Sequence, residues 1–244
     1  MQILTDLIFP PRCAVCDAVL PAGEWGACRA CKARLRYIRE PRCLRCGGEM
    51  PYGSEEEYCG ECAGRKLSYE MGFPLLSYVP PVSDAVAAMK YHGRKEYAAF
   101  YASEMLRVFS ASYRLAAPEA VIPVPVSARR LRKRGYNQAE LLAEFIAEGM
   151  QLPMDTGFLR RIRNTKPQKT LGSSAREDNL RASFLAETPP GERPYRTVLL
   201  VDDIYTTGAT VNACAEAMKA AGVQKVYYTS VTIVNRSDEG TLKK

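Results

Sequence analysis

The sequence predicts an α/β fold, a parallel sheet with flanking helices, preceded by a small cysteine-rich segment held together by metal. Three observations carry this. Residues 198–201, Val-Leu-Leu-Val, form the short, wholly apolar run that a strand covered on both faces needs. That run ends in Asp202 and Asp203, passes through Thr206, Thr207 and Gly208, and enters an Ala-rich helical stretch at about Ala209. Eight of the nine cysteines fall in four CxxC pairs within the first quarter of the chain.

A chain of 244 residues has room for one large domain, or a medium one and a small one. The expected division is 1–66 for the cysteine-rich part and 67–244 for the α/β part. No run of 18 apolar residues is present, so no membrane span is expected. The first residues, MQILTDLIFPPRC, lack the basic start and long apolar core of a secretory signal, and a cytoplasmic location is expected. The net charge of +7 suits polyanionic ligands, nucleic acid among them.

The cysteine pairs are Cys13 and Cys16, Cys28 and Cys31, Cys43 and Cys46, Cys59 and Cys62. Four thiolates make a closed tetrahedral zinc site, and a segment too small for its own core needs one. Two Zn²⁺ ions in two tandem ribbons are expected. The first ribbon would take the first four cysteines and the second the last four, although the spacing also allows an interleaved arrangement. Thiolates also hold iron–sulfur clusters. Because zinc supplies the folding energy of such a segment, loss of one thiolate should unfold it and spare the α/β part. Cys214, in the helix after the Thr/Gly loop, reads as a small core residue.

Along the chain, residues 3–9 suggest a short helix stopped by Pro10 and Pro11. Leu75, Tyr78 and Val79 suggest an edge strand before Pro80 and Pro81. Residues 83–90 suggest a helix capped by Ser83, with Val86 and Met89 on one face. His92, the only histidine, reads as a surface turn residue. Residues 95–112 carry an apolar stripe of Tyr97, Tyr101 and Met105, the mark of a core-facing helix. Residues 120–125 form a strand running into a proline-stiffened loop, followed by the basic run Arg129, Arg130, Arg132, Lys133 and Arg134. A helix over 139–148 would bury Leu141, Leu142, Phe145 and Ile146, and residues 158–162 suggest another strand. Residues 163–179 read as a polar loop with a short helical piece. From Arg129 to Arg181 there are 12 basic and 6 acidic residues, a net of +6, so most of the excess charge lies there. After residues 182–195, where Pro189 to Pro194 mark a surface loop, come the Asp-Asp strand, a helix ending at Gly222 and a long β-branched strand over 226–234.

At a strand's carboxyl end, hydroxyls, backbone N–H groups and a helix N-terminus converge in a way that suits phosphate. The stretch VLLVDDIYTTGAT resembles the phosphoribosyl pyrophosphate (PRPP) motif of type I phosphoribosyltransferases, and every position of the pattern fits. The resemblance implies that Asp202 and Asp203 face the ribose hydroxyls, one with help from Mg²⁺. It also implies that Thr206, Thr207, Gly208, Ala209 and Thr210 wrap the 5′-phosphate.

With the cysteines included, the chain resembles the ComF/GntX family, and the resemblance covers nearly all of it. That family joins a zinc-binding segment to a phosphoribosyltransferase-like domain. Its further blocks are Pro123-Val-Pro125, then Arg134-Gly135-Tyr136-Asn137-Gln138, then Thr165, Gln168, Leu171, Arg176 and Asn179. The loop after Pro123 would receive pyrophosphate with Arg134 binding it bidentately, and Gly135 would let backbone approach the ligand. Residues 165–179 would close as a flap, bringing Lys166 or Lys169 to the leaving group. The resemblance implies a competence-type role in DNA uptake during natural transformation, with a helicase-like translocation protein as partner. The basic run and Tyr136 would then offer single-stranded DNA a charged track and a stacking ring. Two alternatives stand beside it: an active phosphoribosyltransferase of nucleotide metabolism, and an adaptor for nucleic acid or protein whose PRPP pocket is vestigial. No acceptor-base pocket is legible, and the zinc segment is a candidate to replace it.

Overall fold

The computed structural model describes residues 10–162, 179–188 and 191–235. The expected helix over 3–9, together with Thr165, Lys166, Gln168, Lys169, Leu171 and Arg176, lies outside the described residues.

The helices are α1 (Arg29–Lys32), α2 (Val82–Tyr91), α3 (Tyr97–Ala116), α4 (Ala128–Arg134), α5 (Gln138–Met150) and α6 (Ala209–Ala220). The strands are β1 (Gly72–Ser77), β2 (Ala120–Pro123), β3 (Leu159–Arg161), β4 (Phe184–Ala186), β5 (Thr197–Tyr205) and β6 (Lys225–Ile233). Four of them form a parallel sheet in the order β1-β6-β5-β2. The wholly apolar start of β5 lies between two partners, as its composition requires. β3 and β4 pair antiparallel in a separate ribbon, so residues 158–162 do form a strand but outside the main sheet. Its partner, β4, lies just before the surface loop expected at Pro189 to Pro194.

Each face of the sheet has its own core. On one, Leu199, Val201 and Val121 pack with buried residues of α2, α3 and α5. On the other, Val198, Leu200 and Ile122 pack with α6, β3 and β4. Strand alternation divides the apolar side chains between the two layers. The helix over 83–90 starts at Val82, so Ser83 is a buried helical residue and not the cap. Phe145 is 38% exposed, contrary to its expected burial, while Leu142 and Ile146 carry the buried face of α5.

The first cysteine ribbon contributes Cys13, Ala14, Val15, Leu20 and Cys31 to the α2–α3–α5 core. The second contributes Cys43, Cys46, Met50 and Cys62 to the α6 core. The two ribbons repeat each other bond for bond. Cys13 N–H donates to Ala18 O and Cys43 N–H to Gly48 O; Leu20 N–H donates to Pro11 O and Met50 N–H to Pro41 O. Between them, Ile38 N–H donates to Leu75 O and Ser77 N–H to Arg36 O, so the inter-ribbon segment covers the open edge of β1. The expectation that loss of a thiolate spares the α/β part is thereby revised, because both cores run through the ribbons.

The sulfurs settle the grouping of the knuckles. Cys13, Cys16, Cys28 and Cys31 form one cluster, and Cys43, Cys46, Cys59 and Cys62 the other, with the ligand atoms of each within 4.8 Å of one another. Cys46 Sγ lies 3.7 Å from Cys59 Sγ. Zinc–thiolate bonds of about 2.3 Å in a tetrahedron place sulfurs about 3.8 Å apart, so the cluster fits the ion. Backbone N–H groups of Cys28 and Cys59 donate to Cys13 Sγ and Cys43 Sγ, at 3.3 Å each, which favours the thiolate form. Two Cys₄ sites therefore suit two structural zinc ions.

Purified protein is expected to carry two zinc ions per chain, read by elemental analysis. Iron with labile sulfide, or a single metal, would refute this. Cys43→Ser is expected to leave about one zinc and to lower the melting temperature of the whole chain, not of a detached segment, since Cys43 sits in the α6 core.

Candidate functional site

The site is built where β5 and β2 end side by side. Pro123 is in register with Val201, and Val124 N–H donates to Val201 O at 2.9 Å. The loop after β2 therefore starts beside Asp202 and Asp203, at the carboxyl edge where α/β sheets bind ligands.

The two acids have different surroundings. Asp203 is 8% exposed and forms an ion pair with Lys90 Nζ at 2.9 Å. Lys90 lies near the end of α2, on the face opposite α6. Asp202 accepts the N–H of Asp203 at 2.8 Å. Burial first, and the Asp203 charge second, push the Asp202 carboxyl up to about 8. A pair of adjacent, poorly hydrated carboxylates is costly for the fold and useful for binding hydroxyls or a hard cation.

Beyond Tyr205 the chain turns through Thr206, Thr207 and Gly208 into α6. Gly208 is the N-cap of α6, with φ of 76°. A Cβ there would sit 2.2 Å from Tyr205 Oη, so only glycine fits. Ala209 and Thr210 open the helix, and Thr206 and Thr207 are exposed on the loop. Arg65 Nη1 donates to Thr207 O at 3.0 Å and holds the loop from the second ribbon's side.

The basic run that follows the proline-stiffened loop is the helix α4. Ser127 caps it by accepting Arg130 N–H at 3.3 Å. None of its residues is buried: Arg129, Arg130, Arg132 and Lys133 are exposed. Gly135 has φ of 77° and ends α4, so its glycine serves the helix terminus. The next residues brace the site from below. Tyr136 and Gln138 both donate to Met89 O, Asn137 Nδ2 donates to Val124 O at 3.0 Å, and Arg134 Nη1 donates to Gln138 Oε1 at 2.8 Å. This network ties the end of α2, where Lys90 stands, to the loop after β2.

Two corrections follow. Tyr136 is 8% exposed, with Lys95 Nζ 4.7 Å from its ring centroid, so its ring is a brace and not a free stacking platform. The exposed aromatic beside the basic helix is Tyr91, at 63%, with the Arg134 guanidinium 5.0 Å from its centroid. Lys90 and Tyr91 were missed by the sequence reading. A signal existed for Lys90, which falls four residues after Val86 on a helix face that is otherwise apolar. Cys214 is buried as expected, and His92 is exposed at the end of α2.

An acid whose folded pKa is raised costs stability as pH rises. Below about 4 both states of Asp202 are protonated. Between about 4 and 8 the unfolded chain gives up the proton and the native state keeps it, so stability falls. Asp202→Asn is therefore expected to melt with wild type near pH 4 and above it at pH 8, in scanning calorimetry across pH. A gap that does not change with pH would reject the burial argument.

Residues 4–63 match the double zinc ribbon domain family, and residues 137–243 match the phosphoribosyl transferase domain family. The chain is 30% identical over 226 residues to competence protein F of Haemophilus influenzae, covering 89% of this chain and 95% of that protein. It is 30% identical over 223 residues to DNA utilization protein YhgH of Salmonella typhi, covering 90% and 96%. To competence protein ComFC of Bacillus subtilis it is 26% identical over 204 residues, covering 80% and 78%. With two Cys₄ ribbons packed on a parallel phosphoribosyltransferase-type sheet, and this identity over nearly the whole length of both chains, the protein belongs to the competence protein F family.

Proposed function

We propose that this protein binds PRPP with Mg²⁺ at the carboxyl edge of β5 and serves the uptake or processing of DNA. The observation that supports it best is the meeting of the Asp202–Asp203 pair, the Thr206–Thr207–Gly208 turn and the loop after β2 at one sheet edge. In this reading the turn and the start of α6 receive the 5′-phosphate through backbone N–H groups. The acids receive the ribose diol and share a hard cation with the pyrophosphate. Lys90 holds Asp203 in place through their ion pair until the ligand arrives. Lys166 and Lys169 would approach the leaving pyrophosphate from the segment outside the described residues. Turnover to a nucleotide-like product would further require an acceptor. Among the described residues no helix is long and apolar enough to cross a membrane.

Calorimetry with PRPP and Mg²⁺ tests the first half. Wild type is expected to bind, and the double variant Asp202→Asn, Asp203→Asn to lose at least tenfold in affinity while remaining folded. Equal affinities, or no binding by wild type, would reject the site and favour the vestigial-pocket alternative.

The DNA reading is supported by the names of the relatives and by α4, an exposed basic helix beside an exposed tyrosine. A charged track with a stacking aromatic suits single strands and tolerates any sequence. Anisotropy with a labelled single-stranded oligonucleotide is expected to show affinity falling with salt, with a slope of about −0.7 per neutralised phosphate. Neutralising Arg129, Arg130, Arg132 and Lys133 in turn should weaken binding stepwise. Tyr91→Ala should cost about 1–3 kcal/mol, and Tyr136→Phe almost nothing in stacking. Binding unchanged after all four charges are removed would defeat the track. A helicase-like translocation protein remains a proposed partner on the family resemblance alone.

A further inference from the structure

Residues 65–69, just beyond the last cysteine of the second ribbon, pin the turn between β5 and α6 at three points. Before the turn, the hydroxyls of Tyr69 and Tyr205 share a hydrogen bond of 2.8 Å. After it, in the first turn of α6, Asn212 Oδ1 accepts Ser68 N–H at 2.7 Å. Within it, Arg65 Nη1 donates to Thr207 O at 3.0 Å. We propose that Arg65 is a positioning residue for a phosphate bound at this turn. By holding the Thr207 carbonyl on the ribbon side, it aims the Gly208 N–H at the anion. The inference deepens the PRPP reading above and rests on it for the phosphate ester that the turn would take.

Peptide geometry carries the argument. A trans peptide is planar, and its C=O and N–H point in opposite directions. The Thr207 carbonyl and the Gly208 N–H belong to one such unit, so fixing the first aims the second. With the unit turned over, the carbonyl would face the anion and repel it. Gly208 brings that wrong orientation within reach. It has φ of 76°, and the Tyr205 hydroxyl, 2.2 Å from where a Cβ would lie, excludes any other residue. Glycine's wide range of φ lets the peptide before it rotate. Arg65 removes that freedom. The N–H it selects then joins the donors at the start of α6, which have no acceptor within the helix.

The surroundings of Arg65 suit this task. Its backbone N–H donates to Cys62 O at 3.2 Å, so its side chain starts from the closed end of the ribbon. The residue is half-buried, where a hydrogen bond is stronger than in water. A donor on a carbonyl polarises the whole peptide, and a cationic donor does so most. The Gly208 N–H thus becomes a better donor as well as a better-aimed one. The flanking contacts hold the ends of the turn. Asn212 is 7% exposed, and its Nδ2 donates to Glu216 Oε1 at 2.9 Å, which fixes the amide with Oδ1 toward Ser68. With both ends held, the Thr207–Gly208 peptide is the part of the turn left for Arg65 to set.

NMR on zinc-loaded full-length protein, with ¹³C in the threonine carbonyls and ¹⁵N in the glycine amides, tests this. The chain's Thr–Gly steps are Thr156–Gly157 and Thr207–Gly208, so the labelling selects two amides. Gly157, whose N–H donates to Asp155 Oδ1, is the internal reference. Ribose 5-phosphate is expected to shift the Gly208 amide saturably and to leave Gly157 in place. Arg65→Met keeps the stem and removes the donors, and should weaken that binding about tenfold. Arg65→Lys, which keeps a charged donor, should recover most of it. Magnesium pyrophosphate, assigned to the acids and the loop after β2, should bind wild type and Arg65→Met alike in calorimetry. Equal affinity of the two proteins for ribose 5-phosphate would overturn the proposal, as would a Gly208 amide that the ligand does not move. An equal loss for both ligands would also overturn it, by making Arg65 a general support of the fold. PRPP itself separates the two readings. If wild type fails to bind PRPP but ribose 5-phosphate shifts Gly208 with this dependence on Arg65, the PRPP reading falls and the Arg65 assignment stands. If PRPP binds wild type and Arg65→Met equally, the PRPP reading stands and the Arg65 assignment falls.

Discussion

Two carboxylates placed next to each other at the end of a buried strand are the constraint around which this molecule is arranged. Asp203 is buried and Asp202 half-buried, and burial together with the neighbouring charge pushes the Asp202 carboxyl up. Among the described residues, Lys90 Nζ forms an ion pair with Asp203 at 2.9 Å. Lys90 could not hold that position alone, since it lies at the end of a ten-residue helix. Tyr136 and Gln138 therefore bond to Met89 O, one residue before it, and Asn137 holds the neighbouring loop. A sequence block that looks like a ligand-binding signature is, in its own contacts, the bracket that keeps the cation against the acids.

The zinc segment enters the same economy of burial. A parallel sheet needs both faces and its edges covered. Helices cover the faces here, and the span between the ribbons pairs with the edge of β1. Each ribbon extends one of the two cores, so metal-held loops do the work of additional helices. That division explains why the segment is duplicated. One copy could reach only one face of the sheet.

Legibility in the sequence followed the range of the interactions. β5, the Thr/Gly turn and α6 are local, and their apolar run, acids and glycine announce themselves in consecutive residues. The CxxC pairs are equally local, and tandem repetition made the sequential grouping the natural one, although only the sulfur positions excluded interleaving. What stayed hidden depended on distant partners. Tyr136 and Tyr91 are both aromatics flanked by basic residues, and which one is buried depends on α2 meeting the turn after α4, 47 residues apart in the chain at the Tyr136–Met89 bond. β4 escaped notice because a three-residue strand carries almost no periodicity. Phe145 continues an apolar pattern, but Leu142, Ala143, Ile146 and Ala147 form the buried face of α5 and leave it outside.

The two ribbons are unequal toward the site, and the tyrosines show why. Tyr69 and Tyr205 share a hydroxyl–hydroxyl bond of 2.8 Å, and Tyr205 stacks on Tyr228 with centroids 4.9 Å apart. Tyr228 in turn bonds the carbonyl of Cys46, a member of the second sulfur cluster. At the other end of this chain of contacts, Tyr205 packs so closely against Gly208 that no side chain fits between them. Buried hydroxyls are costly to leave unpaired, so these contacts are held together or lost together. The geometry of the Thr206–Gly208 turn is therefore continuous with that of the second ribbon. Among the described residues, the first ribbon's polar contacts with the helices, Asp17 to Arg94 and Tyr97 and the Ala14 carbonyl to Tyr101, are with α3 and the turn before it, on the other core. The second cysteine cluster is thus tied to the candidate site's own architecture, whereas the first packs into the helical layer behind it.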